Sequence, residues 1–554
     1  MSMVLTQTLR LCLGTAFLMV GGCGAGATDG TMAPTTNVLG ALSRVTPVGL
    51  FGASTDEKTA ADAQGVPVRD MEEVLTFVYK SVNSNYVDRA PLKPLVVAGL
   101  SGLSRLDAKI AVQDQGSSLR LTYDGKPIAQ LDPPSNTESP SGWSRVAATG
   151  TALAESASPA LRGIETDDII SALLNPALGA LDPYTRYLSP AQARDEKASR
   201  SGFGGVGVTL DTEQIGVIRT VLDDTPAAKA GLVPGDRLTS VGDKPVQPLT
   251  QNQLIALLRG EIGAPVTLTI QRGEAPAFTR TLKRMKIYQT TVRGQRDDAG
   301  IAVVKLSGFN DGTLDAFKAQ MRKLTDAGPV RGMVLDLRDN PGGIFRTALD
   351  IADLFLSDGP IMTVRDRRGI VSESVASAGD EVLPSKVPLV LLTNGQTASA
   401  SEVLAAALQD RGRAVVVGSR SFGKGLVQTV YEDLPNKGEF IMTTMRLHSP
   451  LGYSLHKYGV VPTVCTSRQA DAPTSAAQIT ADMRTPDFHP EDVLQARRTV
   501  DKATEAARET LVGLCPPLTK PRTNDVDMAV AESLLADPGL YARALPAPTI
   551  ARKP

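Results

Sequence analysis

From residue 300 onward, short apolar runs alternate with stretches of helical periodicity. Residues 301–306, 332–337, 387–392 and 414–418 read as strands, and 314–324, 345–356 and 402–408 as helices between them. Consecutive strands joined through a helix need crossovers, which are right-handed in such sheets. The alternation therefore commits this part of the chain to a largely parallel sheet covered by helices, an α/β core. Two more strands are expected at 426–431 and 440–447. A tail follows. Its amphipathic helix would carry Val493, Ala496, Val500, Ala503, Ala507, Leu511 and Leu514 on one face, with a shorter helix near 527–535.

The chain has 554 residues, room for three or four domains of roughly 150 residues each. Residues 67–199 read as a mostly helical region, with Val74, Phe77, Val78, Leu95, Val96, Leu100 and Leu103 at helical spacing and Ile169, Ile170, Leu173, Leu174 and Leu178 resuming it. A β-hairpin insertion is expected at 119–131 around Asp124-Gly125, a dipeptide suited to a tight turn. A polar Pro/Ser-rich loop is expected over 132–147. At Ser201 the pattern shifts to short strands at 206–210, 216–222, 237–241 and 266–272, interrupted by helices at 227–230 and 251–258. That is a compact β-rich unit over 200–288, followed by the α/β core over 289–468 and a helical tail over 469–554. The whole is a multidomain α+β and α/β chain.

Arg10, the apolar run from Leu11 to Val20 and the small residues after it have the layout of a secretory leader over 1–27. The run is too short to span a bilayer. Its exit, Val20-Gly21-Gly22-Cys23-Gly24, resembles a bacterial lipoprotein signal, in which Cys23 would be lipidated and hold the chain on a membrane. Cleavage after Ala25 or Ala27 is the alternative, and an uncleaved anchor a third. Each exports the chain, with the bacterial periplasm as the expected compartment. Residues 28–66, rich in Gly, Ala, Thr and Pro, read as a tether. Export places Cys465 and Cys515 where a bridge can form; two buried thiols are the other reading.

Lys plus Arg number 58 against 59 Asp plus Glu, and the net charge of −1 argues against a nucleic-acid partner held by bulk electrostatics. With 3 His and 4 Cys, two of the latter being Cys12 and Cys23 near the start, zinc-finger arrays and iron–sulfur frameworks are excluded.

Gly202-Phe-Gly204-Gly-Val-Gly207 matches a dinucleotide fingerprint in letters only, because β-like residues follow where that motif needs a helix. A glycine loop with outward N–H groups ahead of a strand is the better reading, and such a nest holds anions, including a peptide carboxylate. With Thr225-Pro226-Ala227, Ala230-Gly231-Leu232, Pro234-Gly235-Asp236 and Val241-Gly242, the segment resembles a PDZ domain. The resemblance implies that Gly205, Val206 and Gly207 hold the carboxyl terminus of a bound peptide.

Thr397-Ala-Ser399-Ala-Ser401-Glu402 lies between an expected buried strand and a helix. A serine on such a turn is exposed at a helix N-terminus, where the N–H of Ala400 is free to stabilise an oxyanion. Ser399 or Ser401 as a plain N-cap is the alternative. Ser421-Phe-Gly423-Lys424-Gly425 then leads into the next strand, and the even spacing of Lys424 and Gln428 puts them on one face of an extended segment. A lysine whose charge is disfavoured by burial can act as base to a serine. Asp336-Leu-Arg338-Asp-Asn340-Pro-Gly342-Gly343 ends another strand and offers a second outward N–H.

Together with Ser449-Pro-Leu-Gly-Tyr453, Gly459-Val-Val-Pro462 and Leu181-Asp-Pro-Tyr-Thr-Arg-Tyr-Leu188, these motifs resemble the carboxyl-terminal processing proteases. That family has a crotonase-like α/β core with an inserted PDZ domain. The resemblance implies Ser399 as nucleophile, Lys424 as general base and Gln428 orienting the lysine. It implies an oxyanion hole from Ala400 with Gly342 or Gly343, and Arg272 as the residue coupling peptide binding to the site. It implies no metal and no organic cofactor. Protein or peptide substrates with a free carboxyl terminus are the implied partners, and the family admits adaptor proteins and homodimers. A silent scaffold would have lost the serine or the lysine. A Ser-His-Asp site would draw on His448 or His456, and neither occupies a base position.

Overall fold

The computed structural model describes residues 4–6, 68–369, 371–432, 434–467, 475–499, 505–519 and 524–545. Cys23 and the 28–66 tether lie outside the described residues.

The core sheet runs in the order Val292–Arg296, Ile301–Leu306, Gly332–Asp336, Leu389–Thr393, Val415–Gly418, Val464–Cys465. Its first pair is antiparallel and the rest are parallel, with Leu335 opposite Leu391 and Leu391 opposite Val416. Gly332–Asp336 and Leu389–Thr393 are buried along their whole length. Continuous apolar runs of that kind form where both faces of a sheet are covered. One face packs Leu335, Leu389 and Leu391 against the crossover helices Phe345–Asp353 and Ala400–Asp410, through Ala348, Ile351, Val403 and Leu404. The other packs Val334, Val390, Leu392, Val415 and Val417 against tail residues Ile479, Met483, Val530, Leu534 and Leu540. The tail is thus the second helical layer of the core.

The tail is fastened at several points. Cys465 on the edge strand is joined to Cys515 by a disulfide with Cα atoms 5.7 Å apart. Tyr541 Oη accepts the Leu389 N–H at 3.0 Å and donates to the Leu389 carbonyl at 3.1 Å. Where one amphipathic helix was expected over 493–514, the structure has Pro490–Thr499 and Glu505–Gly513 with undescribed residues between.

A second sheet is built on the long strand Glu439–His448. It pairs antiparallel with Leu426–Tyr431, with Pro360–Arg365 at one end and with Arg186–Leu188 at the other. Helices Val68–Asn85, Leu92–Gly102, Pro140–Ala157 and Thr166–Gly179 close a separate core around Trp143, Leu100 and Leu173, into which Phe440 and Met442 project. The periodic stretch from 70 to 103 breaks at 86–91, ahead of the Pro91 that starts the second helix. The insertion is a three-stranded meander, Ile110–Asp114, Leu119–Tyr123 and Lys126–Leu131, one strand more than the expected hairpin. The loop expected over 132–147 ends early. Ser139 Oγ accepts the Gly142 N–H at 3.1 Å and Pro140 takes the first helical position, a start signal inside a polar stretch.

The β-rich unit is a sheet in the order Lys244–Pro245, Arg237–Val241, Pro265–Gln271, Phe278–Lys283, over a core of Val206, Ile218, Leu238, Leu254, Leu268 and Ile270. Its two connections to the rest of the chain pair with each other, Phe203–Gly205 antiparallel to Met285–Ile287. Just before them Arg200, at the end of Pro190–Ser201, is buried and gives bonds of 2.9 Å to both carboxylate oxygens of Glu439.

Candidate active site

Ser399 stands between the strand Leu389–Thr393 and the helix Ala400–Asp410. Its backbone has φ 62° and ψ −118°, a region that a side-chain-bearing residue enters only when its surroundings impose it. Its Oγ is buried and has no hydrogen-bond partner among the described residues, so it does not act as a cap. Ser401, the other cap candidate, donates instead to the Asn340 carbonyl at 3.0 Å.

The Asn340-Pro-Gly-Gly loop presses against this turn. Asn340 is fully buried and gives its Nδ2 to the Leu306 carbonyl at 2.7 Å. Its carbonyl accepts the Ala398 N–H at 3.0 Å and its Oδ1 accepts the Gly342 N–H at 2.9 Å. Gly342 has φ 99°, and a Cβ there would lie 2.9 Å from both the Ala400 nitrogen and the Ser399 Cβ. Only glycine fits so close to the Ser399 turn. The Gly342 N–H is therefore engaged, whereas no acceptor for the Gly343 N–H exists among the described residues.

Lys424 is 3% exposed, and its Nζ lies 4.5 Å from the centre of the Tyr184 ring. Burial pushes its ammonium down to about 7; Arg186 pushes the same way, while Glu402, Asp182 and Glu196 oppose. The flanking glycines let the loop lie directly on the next segment, since a Cβ on Gly423 would meet the Lys457 backbone at 2.8 Å and one on Gly425 would overlap the His456 backbone. Gln428 is buried, with Nε2 donating to Thr443 Oγ1 at 3.2 Å and Oε1 unpartnered. The even spacing of the two residues does not translate into a shared strand face. Lys424 precedes the strand Leu426–Tyr431, and the register shifts between Val427 and Gln428.

A pocket of about 390 Å³ opens beside these groups, lined by Tyr184, Asp339, Pro341, Gln396, Ala398, Phe422 and Lys424. Phe422 is half exposed there. Tyr184 comes from the segment that Asp182 organises by accepting the Tyr184 and Thr185 N–H groups at 2.7 and 2.9 Å. Sequence reasoning assigned Tyr184 and Asn340 no role; both lay within motifs already singled out. The clearest missed group is Glu402. It sits three residues after Ser399, the acidic position of a capping box. Its Oε2 accepts the Ser399 N–H at 2.7 Å.

The peptide-loop residues Gly205, Val206 and Gly207 lie at the start of the β-rich unit, where the Val206 carbonyl accepts the Ala227 N–H and a Cβ on Gly207 would strike Thr225. Arg272 is engaged inside the same unit. It gives Nε to Asp236 at 2.7 Å and a second nitrogen to the Gly231 carbonyl at 2.7 Å, and holds the Asp236 carboxyl below its usual range. Backbone atoms of His456 border Gly425, and burial pushes its imidazolium down.

Residues 300–466 match Peptidase family S41, and residues 217–272 match the PDZ domain. A carboxy-terminal-processing protease of Bartonella bacilliformis is 36% identical over 308 residues, 53% of this chain and 69% of its own length. A carboxyl-terminal-processing protease of Picosynechococcus sp. is 33% identical over 293 residues, 51% of this chain and 69% of its own. Among solved structures, a photosystem II D1 C-terminal processing protease aligns at 28% identity over 71% of this chain and 92% of its own, with a TM-score of 0.36. The fold and site define a serine peptidase with a PDZ domain. The chain belongs to the carboxyl-terminal processing protease family.

Proposed function

We propose that this chain is an exported endopeptidase that selects proteins by their carboxyl termini and cleaves them through an acyl-enzyme on Ser399. Lys424, neutral, removes the Ser399 hydroxyl proton as Oγ attacks the scissile carbonyl carbon. The resulting oxyanion takes hydrogen bonds from the N–H groups of Ala400 and Gly343. As the C–N bond breaks, the lysine returns the proton to the leaving amine. Water, deprotonated in turn by Lys424, then attacks the ester carbonyl, and the lysine passes that proton to the departing Ser399 Oγ, restoring both groups. Gln428, buried with an Oε1 free to accept, is assigned to orient the lysine when substrate is bound. No metal or organic cofactor enters the scheme.

The observation that carries this reading is a buried lysine whose proton affinity falls to about 7, in the loop that borders the Ser399 turn. Gly343 is preferred to Gly342 because the latter's N–H is bonded to Asn340. Binding of a terminal carboxylate at Gly205, Val206 and Gly207 rests on the resemblance of this glycine loop to that of PDZ domains, just ahead of residues 217–272, which match one. The same reading covers lipidation of Cys23 and a periplasmic site of action, both resting on the leader's layout.

The test is degradation of an unfolded protein with an apolar carboxyl terminus by the unaltered chain, Ser399→Ala and Lys424→Ala. Cutting by the unaltered chain alone is expected. Cutting by Lys424→Ala would remove the lysine from the mechanism.

A further inference from the structure

Glu402 is fully buried, and it faces no cation within bonding distance among the described residues. Its Oε1 accepts the Ser421 hydroxyl at 2.5 Å and the Gly423 N–H at 2.6 Å. Its Oε2 accepts the Ser399 N–H at 2.7 Å and the Lys424 N–H at 2.8 Å. Four donors fill the lone-pair directions of one carboxylate, a set that suits the ionised form because a protonated acid would turn an O–H toward a donor. Burial pushes the carboxyl up, and the four donors offset part of that rise.

The donors come from two separate segments, the nucleophile turn and the lysine loop. No other side chain among the described residues accepts from the backbone of both Ser399 and Lys424. The Ser421 hydroxyl extends the tie by accepting the Val460 N–H at 2.7 Å, which brings in the 459–462 motif. Ser399 is also held at a positive φ, so its turn needs an external constraint.

We propose that Glu402 is a positioning residue that holds the Ser399 turn and the Lys424 loop in fixed register through one shared carboxylate. The proposal rests on the Ser399–Lys424 reading. The carboxylate has a second consequence, because its negative charge favours the protonated form of Lys424. The charged groups that face the lysine are Arg186 and Glu196 beside the sheet, Asp182 in the segment behind Tyr184, and Glu402 on the nucleophile helix.

The test is the pH dependence of kcat and KM for a peptide substrate with Glu402→Gln, Glu402→Asp and Ser421→Ala in the full mature chain. Glu402→Gln sets an amide nitrogen against backbone donors. It is expected to lower kcat about 100-fold, the scale of a 1 Å misplacement, with KM nearly unchanged. The acid limb of its pH profile is expected to move to lower pH, since a charge that favours protonated lysine is gone. Glu402→Asp keeps the charge but is one methylene short, so kcat should fall while the limb stays in place. Ser421→Ala removes one donor and leaves the carboxylate, and kcat should drop several-fold with the fold intact.

A kcat within threefold of the unaltered enzyme in Glu402→Gln, or a lowered kcat with an unmoved limb in that variant, overturns the proposal. If Glu402→Gln does not fold, an unchanged kcat in Ser421→Ala overturns it and a lowered kcat supports it. Lys424→Ala assayed in parallel separates the two ideas. Activity there refutes the underlying mechanism, whatever Glu402 does.

Discussion

Lys424 carries a conflict between stability and chemistry. Its folded proton affinity of about 7 lies well below the ordinary lysine value of 10.5. The unfolded chain therefore binds more protons between those values, and folding stability gains from this group as pH rises from about 7 toward 10.5. Below about 7 both states bind the proton, and the full cost of a charge in a buried site is present. The proposed mechanism needs the neutral amine, so kcat/KM should climb through pH 7 and level off above it. Lys424→Met should abolish cleavage and raise stability at pH 7 by on the order of a few kcal/mol, because an apolar side chain of similar length fills the space beside Tyr184. Thermal unfolding and pH-dependent turnover check both halves. A variant less stable than the parent would mean that the lysine is paired well enough to offset its desolvation.

At the level of elements, the β-rich unit is attached through a two-stranded ribbon, and Arg200 anchors the helix that leads into it. Arg200 and Glu439 have side chains only 8% and 4% exposed, so removing one leaves the other charged and buried. Arg200→Ala should destabilise the chain by about 3–5 kcal/mol and, where the peptide-selected mechanism proposed above holds, weaken the response of cleavage to added carboxyl-terminal peptide. Denaturant unfolding measures the first effect, and turnover against added carboxyl-terminal peptide the second. A loss below 1 kcal/mol would show that the pair is better solvated than its burial implies. The elements of the α/β core were legible because doubly buried strands leave unbroken apolar runs, as at 389–393. Pro140–Ala157 was hidden by its polar start, although Ser139 and Pro140 spell a helix N-terminus. Ser399 and Lys424 could be picked out from their turns. Glu402 could not be given a task, because its four donors converge only when residues 399, 402, 421, 423 and 424 meet in space.

For the whole molecule, the tail grips the helix that follows Ser399 at both ends. At its N-terminal side, the Leu518 carbonyl accepts the Gly395 N–H at 2.7 Å and the Leu518 N–H donates to Ser419 Oγ at 2.9 Å, three residues beyond the disulfide at Cys515. At the other end Arg497, fully buried over the Tyr453 ring, pairs with Asp410 at 2.9 Å and donates to Gln409. Replacing both Cys465 and Cys515 with Ser should remove roughly 2–4 kcal/mol and lower kcat more than it raises KM, since the segment that holds Gly395 loses its anchor. A melting temperature that reductant does not change in the unaltered protein would refute this. The Cys465–Cys515 bridge was readable in the sequence, as the pair left to an exported chain; the contacts of Leu518 and Arg497 were not, because the tail's residues name no partner until the second sheet face is known. They also impose an order on the protein's birth. A ribosome releases Ser399 and Lys424 before Arg497, Cys515 and Leu518, so the two residues proposed to react emerge ahead of the segments that brace them.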